Sequence, residues 1–243
     1  MSIIVTQINK HGIVFGSDSN ITGIHEVDKE DQKIFEIPSL NAAMCIAGTY
    51  TVKGEMMDIW LPNFIKENHE KYKSLREFVE LLSKQFEQDM TVSEKALLSI
   101  SHIAGYVDNH PEMWCLSNTT LLDNGKYSLG QSSFHFSEDL WGRDWNKNNL
   151  ALLFESDGLN YQIYINSLTQ GRVAFNTARK YLDLYFSSMF LSEFKFRYPR
   201  NLEEHSLLVR VYIDIIEVMY KISDYEPKEI GGKTQVFFIR KPF

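Results

Sequence analysis

The sequence predicts an α+β fold in which two antiparallel sheets stack between layers of helix, and two observations predict it. Short runs rich in β-branched residues recur as neighbours, at 2–9 with 12–18, within 33–48, and at 97–107 with 112–117, so strands pair with the next in sequence. The helical patterns fall in blocks between these runs, giving the order strands, two helices, strands, two helices, strand. Each sheet so formed must cover an apolar face, and stacked sheets flanked by helices do that.

The elements follow in order. Residues 2–9 and 12–18 form a hairpin broken at Lys10-His11-Gly12, and residues 33–48 form a second, the two sharing one sheet. Residues 51–68 carry the core candidates Met56, Met57, Ile59, Trp60 and Phe64, and Pro62 predicts a break or kink there. Ser74-Leu75-Arg76-Glu77 is a capping box, after which Leu75, Phe78, Val79, Leu82 and Phe86 share one helical face. The strands 97–107 and 112–117 flank a turn at Asp108-Asn109-His110-Pro111. A helix is expected over 172–190, with Ala174, Ala178, Tyr181, Leu182 and Tyr185 on one face. Asn201 caps another, with Glu204 at its third position, that runs to about Ile222 and lines one side with Leu208, Val211, Tyr212, Ile215 and Met219. Ile230-Gly231-Gly232 then leads into a closing strand at Val236-Phe237-Phe238-Ile239.

Composition fits one domain over residues 1–243. The 44% hydrophobic content supports a sizeable core, and neither repeats nor Pro/Gly/Ser linkers divide the chain. A net charge of -7 and a pI near 5.5, without a Lys/Arg cluster, argue against nucleic acid or an anionic membrane as partner. Cys45 and Cys115 are too few for a disulfide framework, which suits a reducing, cytoplasmic setting. No basic leader with an apolar stretch and no run near 18 apolar residues is present, so the sequons at Asn20 and Asn118 lack a secreted context. The seven histidines form no zinc pattern, no calcium loop or Gly-rich phosphate loop occurs, and no Gly-x-Ser-x-Gly elbow is present. The expectation is therefore no metal and no cofactor.

Residues 2–48 carry the chemistry. They contain a near-terminal hydroxyl in Ser2-Ile3-Ile4-Val5, a strand-ending aspartate in Phe15-Gly16-Ser17-Asp18-Ser19, a lysine opening the run Lys33-Ile34-Phe35-Glu36-Ile37, and the Ala47-Gly48 turn. In order and spacing these resemble the proteasome β-type N-terminal nucleophile hydrolases. Ile103-Ala104-Gly105-Tyr106-Val107-Asp108 and the Gly231-Gly232 strand extend the resemblance, and the length together with residues 15–19 is similar to the bacterial ancestral β-subunit branch. The resemblance implies a four-layer αββα sandwich and a peptidase or amidohydrolase acting on peptide or amide substrate as a ring-forming or open-ring homo-oligomer.

Ser2, Lys33 and Asp18 fit the roles such chemistry requires. An alcohol needs a base within hydrogen-bond reach, and a terminal serine can use its own α-amine, whose reference pKa is about 7.7–8.0. A nearby Lys33 lowers that amine's proton affinity, and Asp18 keeps Lys33 charged and oriented. Gly48 is the candidate backbone donor for the developing oxyanion. Met1 before a small serine is open to removal; a chain that keeps it lacks the free amine, and the competing expectation is a catalytically silent structural or binding subunit.

The chain departs from the family's pattern in three places. Where family members place Gly-Ser-Gly, this chain reads Leu129-Gly130-Gln131-Ser132-Ser133, so Gln131 occupies the serine's place and Ser132 is the substitute candidate. The family's Asp and Ser ahead of the last strand correspond to Pro227 and Ile230, with Asp224 and Glu226 as nearby carboxylates; bacterial members tolerate an apolar residue at the latter position. An extra segment at about 137–170 carries Trp141-Gly142-Arg143-Asp144-Trp145 and two apolar runs meeting at Asp157-Gly158, which reads as an inserted hairpin. Its aromatics Trp141, Trp145, Tyr161 and Tyr164 either pack it onto its own domain or cover an active-site rim or subunit contact.

Overall fold

The computed structural model describes residues 2–21, 31–119, 130–137, 162–167, 199–222, 224 and 230–242. Strands β1 (Ile3–Asn9) and β2 (Gly12–Ser17) pair antiparallel around the Lys10-His11 turn, with Ile4 opposite Ser17 and Asn9 opposite Gly12. β3 (Ile34–Ile37) and β4 (Ala42–Gly48) form the second hairpin. After the small pair β5 (Thr51–Val52) and β6 (Glu55–Met56) come α1 (Met57–Asn68), α2 (Leu75–Asp89) and the short α3 (Val92–Lys95). β7 (Ser99–Val107) and β8 (His110–Ser117) follow, then β9 (His135–Ser137), β10 (Gln162–Ser167), α4 (Leu202–Ile222) and β11 (Gln235–Arg240). The result is a mixed α+β chain with antiparallel sheets, ordered β10-β1-β2-β11 and β3-β4-β7-β8-β9.

The two N-terminal hairpins therefore lie in different sheets, against the expectation that they share one. The burial pattern supplies the reason. Along β1, Ile3 and Val5 join one apolar cluster while Ile4 and Ile8 join another; along β4, Ala43, Cys45 and Ala47 face one way and Ala42, Met44 and Ile46 the other. Strands buried on both faces need a layer on each side. The central cluster joins Ile4, Ile8, Ile13 and Phe15 of the first sheet to Ala43, Cys45, Ile100 and Ala104 of the second, so one hairpin stacks over the other.

Helix packing completes the outer faces. Ser74 caps α2 by accepting from the Glu77 N–H, and all five residues of its predicted face are buried against the five-stranded sheet. Each such side chain contributes about 1.5–3 kcal/mol over exposure, and Phe78→Ala at the centre would cost about 3–5 kcal/mol. Pro62 lies inside an unbroken α1, whose buried face is Met57, Leu61, Phe64 and Ile65, with Trp60 stacked on Phe64 and Phe86. Tertiary packing offsets the roughly 3 kcal/mol that an interior proline costs. Ile59, expected in the core, is 53% exposed.

On the opposite side α4 begins as expected, with the Glu204 N–H donating to Asn201 Oδ1 at 2.9 Å. Its buried face is Leu202, His205, Val209, Tyr212, Ile213, Ile216 and Tyr220. Only Tyr212 of the predicted face belongs to it, and Val211 is exposed. Gly16 sets this rotation, because a Cβ there would lie 2.5 Å from Val209 Cγ1 and 2.7 Å from Ile213 Cδ1. β7 and β8 join through Asp108-Asn109, both at positive φ, a tighter turn than the four residues expected. β10 extends the first sheet beside β1. The expected helix at 172–190, the Asp157-Gly158 turn, and Trp141, Trp145 and Tyr161 lie outside the described residues, as do Glu226 and Pro227. Among the described residues no helix is long and apolar enough to cross a membrane.

Candidate active site between the sheets

Stacking brings the start of β1, the end of β2 and the entry to β3 to one end of the molecule. Ser2, Asp18 and Lys33 meet there, at 4%, 2% and 1% exposure. Lys33 Nζ lies 2.7 Å from Ser2 Oγ and 3.1 Å from Asp18 Oδ1, and it also donates to the carbonyl of Asn20. Three acceptors thus match the three protons of an ammonium.

Asp18 is held as firmly. Its Oδ1 accepts from the Ile3 N–H at 2.9 Å and its Oδ2 from the Gly231 N–H at 3.4 Å. Ser17 Oγ donates to the carbonyls of Ile3 and Asp18, at 3.1 and 2.8 Å, and Ser19 Oγ accepts from the Lys233 N–H at 2.7 Å. Gly232 sits at φ +81, and a Cβ there would come within 2.5 Å of Ser19 Oγ, so the Gly231-Gly232 turn is shaped to this loop. The β2 exit is braced from β1 and from the chain entering β11.

Burial acts on both charges. Loss of water pushes the Asp18 carboxyl up and the Lys33 amine down, while each partner's charge opposes the shift of the other. The direction that matters for reactivity is the lowered lysine, since its ammonium has surrendered nearly all hydration. When Lys33 is charged, Nζ–H donates to Ser2 Oγ; when it is neutral, the Ser2 hydroxyl donates to Nζ. The same 2.7 Å contact serves both states and is a path for a proton.

The other expected site residues are placed differently. Gly48 ends β4 at φ +102, opposite Ser99, two residues beyond Ile46, whose N–H donates to the Lys33 carbonyl at 3.0 Å. It therefore stands at the same end of the sheet as Lys33. Ser132 is exposed, and no hydrogen bond joins it to Ser2 among the described residues. Its neighbour Gln131 donates its N–H to the carbonyl of Asn118 at 2.8 Å, which ties this loop to the β7–β8 end. Ile230 is buried in the cluster under α4, and Asp224 is exposed.

Sequence reasoning missed several contributors. Ser17 and Ser19, which the motif gave no role of their own, are buried braces of the Asp18 loop. Gln235 accepts from the Lys33 N–H at 2.9 Å across a separation of 202 residues. No local pattern signals such a contact; only its position as the polar first residue of an apolar strand sets it apart. Among the described residues no group of three His, Cys, Asp or Glu side chains could hold a metal ion. No protein-family model and no curated protein matches this sequence.

Proposed function

We propose that this chain is a proteasome-like N-terminal nucleophile hydrolase of peptide or amide bonds, with Ser2 as nucleophile once Met1 is removed. The observation that carries the reading is the buried Ser2–Lys33–Asp18 chain, with Lys33 Nζ 2.7 Å from Ser2 Oγ. The succession of α1 and α2, the two sheets and α4 supports the corresponding four-layer αββα sandwich. In this mechanism Ser2 Oγ attacks the carbonyl carbon and its proton passes to the freed α-amine, whose basicity Lys33 tunes. The amine then delivers the proton to the departing nitrogen, and water releases the acyl group from Ser2. Gly48 is the proposed oxyanion donor, and a cytoplasmic homo-oligomer is the proposed setting.

A second reading is a silent structural or binding subunit. The 4% exposure of Ser2 in the chain that retains Met1 favours it, since that form offers a substrate neither an open hydroxyl nor a free α-amine. Intact mass and an acylating probe separate the two. The hydrolase reading expects protein that begins at Ser2 and takes the probe on Ser2 alone, with loss of labelling in Ser2→Ala. A mass that includes Met1 throughout, with no labelling, puts the silent subunit in front.

A further inference from the structure

Gln235 opens β11 opposite Ser17 of β2, so its backbone belongs to the four-stranded sheet. Its side chain grips the chain that enters the other sheet. Oε1 accepts from the Lys33 N–H at 2.9 Å, and Nε2 donates to the Asp31 carbonyl at 2.7 Å. One carboxamide thereby satisfies a donor and an acceptor two residues apart on a single extended segment.

The same segment is fixed from two further directions. The Asp31 N–H donates to the Ser19 carbonyl at 3.2 Å, and the Lys33 carbonyl accepts from the Ile46 N–H at 3.0 Å. The Lys33 backbone is thus held by the β2 exit, by β4 and by β11. A flexible side chain keeps simultaneous contact with Ser2, Asp18 and Asn20 only if its Cα stays in place, and displacements near 1 Å suffice to spoil a reacting geometry.

We propose that Gln235 is a positioning residue: a carboxamide clamp between the two sheets that sets the reach of the Lys33 amine to the Ser2 hydroxyl. It touches neither reacting atom and acts through the Lys33 backbone. The kinetic part of this inference rests on Ser2 being the nucleophile, whereas the structural part does not. The charged groups acting on Lys33 are Asp18 and Asp31; both remain in every variant below, and the variants add no charge.

The test uses the full chain with lysine labelled at 13Cε, and reads both the Lys33 titration and the acylation of Ser2 by a β-lactone across pH. In that acylation Ser2 Oγ bonds to the lactone carbonyl carbon, the ring C–O bond breaks, and the released alkoxide takes up the proton lost from the hydroxyl. Gln235→Met fills a similar volume without hydrogen bonds. It is expected to return the Lys33 titration toward the ordinary lysine range, because the amine regains water, and to slow acylation at neutral pH by about tenfold or more, with the profile displaced upward. Gln235→Asn keeps a neutral carboxamide but is one methylene too short to reach both Lys33 and Asp31, so its acylation should fall between the two.

Coincident Lys33 titrations and acylation profiles in wild type and Gln235→Met overturn the clamp, even if the melting temperature falls, since a merely structural tie does only that. If wild type is not acylated on Ser2, the nucleophile reading fails, and the Lys33 titration alone decides the clamp: a shift supports it and no shift overturns it. Should Gln235→Met not fold, Gln235→Asn carries the same two measurements, and an unchanged Lys33 titration there overturns the clamp.

Discussion

Two buried polar clusters share the slot between the sheets, and they differ in what opposes burial. At the end of the slot, Lys33 and Asp18 are a charged pair whose hydrogen bonds are met by Ser2, Asn20, Ile3 and Gly231. Deeper in, Thr6 of β1, Cys45 of β4 and His102 of β7 form a neutral set, with Thr6 Oγ1 3.1 Å from His102 Nδ1 and 3.7 Å from Cys45 Sγ. Burial pushes His102 down to about 3 and the thiols of Cys45 and Cys115 up to about 12. Desolvation alone drives titratable groups to their inert neutral forms; at Lys33 desolvation still lowers the proton affinity, but the Asp18 counter-charge opposes it. On the proposed hydrolase reading, reactivity belongs to the end of the slot, although both clusters are buried.

The sharpest way to break this contrast is to remove the reactive pair. Ser2→Ala and Lys33→Ala are each expected to reduce turnover of a fluorogenic peptide or amide by at least about 10³-fold, since residues that act as one unit fail together. Ser2→Thr should retain activity, because it keeps the hydroxyl and stiffens χ1. Equal turnover by wild type and Ser2→Ala, in protein free of Met1, would place the chemistry elsewhere.

The same pair gives the next largest effect, on stability. Lys33→Ala strands the Asp18 carboxylate at 2% exposure, and breaking a buried pair costs roughly 3–5 kcal/mol in urea unfolding. Asp18→Asn combined with Lys33→Met removes both charges and should recover most of that loss while remaining inactive. A double variant no more stable than Lys33→Ala would mean that shape, not charge, governs the site.

The neutral cluster answers to pH instead. His102 has a folded value of about 3 against an ordinary 6.5. The unfolded chain therefore binds a proton first as pH falls, and stability is lost from about 6.5 down to about 3. His102→Leu should flatten the unfolding midpoint over that window by several kcal/mol while costing less at pH 7. An unchanged slope in this variant would show that His102 is not held neutral.

How much of this was legible in the sequence depends on the range of the contacts. Ser2, Asp18 and Lys33 were singled out by their joint order and spacing, through the family resemblance rather than by any one position, and the α2 face was readable because its period and its capping box agree. The sheet assignment of the second hairpin was not, since strand alternation shows only that both faces are buried and not which layer covers each. The rotation of α4 was hidden for a similar reason. Nearly every position on that helix is apolar or long, so the Gly16 contact rather than periodicity selects the buried face. Gln235 and the Thr6–Cys45–His102 set join residues far apart in sequence through contacts that no local pattern encodes.

The smallest effect expected lies outside the slot and tests the opposite balance, a carboxylate whose donors outweigh its burial. Glu94 in α3 is reached by the Thr91 N–H at 2.7 Å, the Gly54 N–H at 2.9 Å and the Lys53 N–H at 3.1 Å, so one side chain caps its own helix and satisfies the β5–β6 turn. Burial raises its proton affinity, but the Gly54 and Thr91 N–H groups, with the Thr51 and Thr91 hydroxyls, prevail and hold it down at about 2 against an ordinary 4.5. Because the folded value is the lower one, the contribution is fully present above 4.5 and disappears as pH falls through 2. Its size is on the order of 3 kcal/mol. Glu94→Gln replaces one acceptor oxygen with a donor that faces N–H groups, so it should cost a similar amount at pH 7 and lose no further stability from this source between pH 4.5 and 2. Subtracting its urea midpoints from those of wild type at each pH isolates this window from that of His102, which opens two pH units higher. A difference that stays constant from pH 7 to pH 2 would mean that the turn is held by shape alone and that hydrogen bonds to the ionised form do not depress this carboxylate.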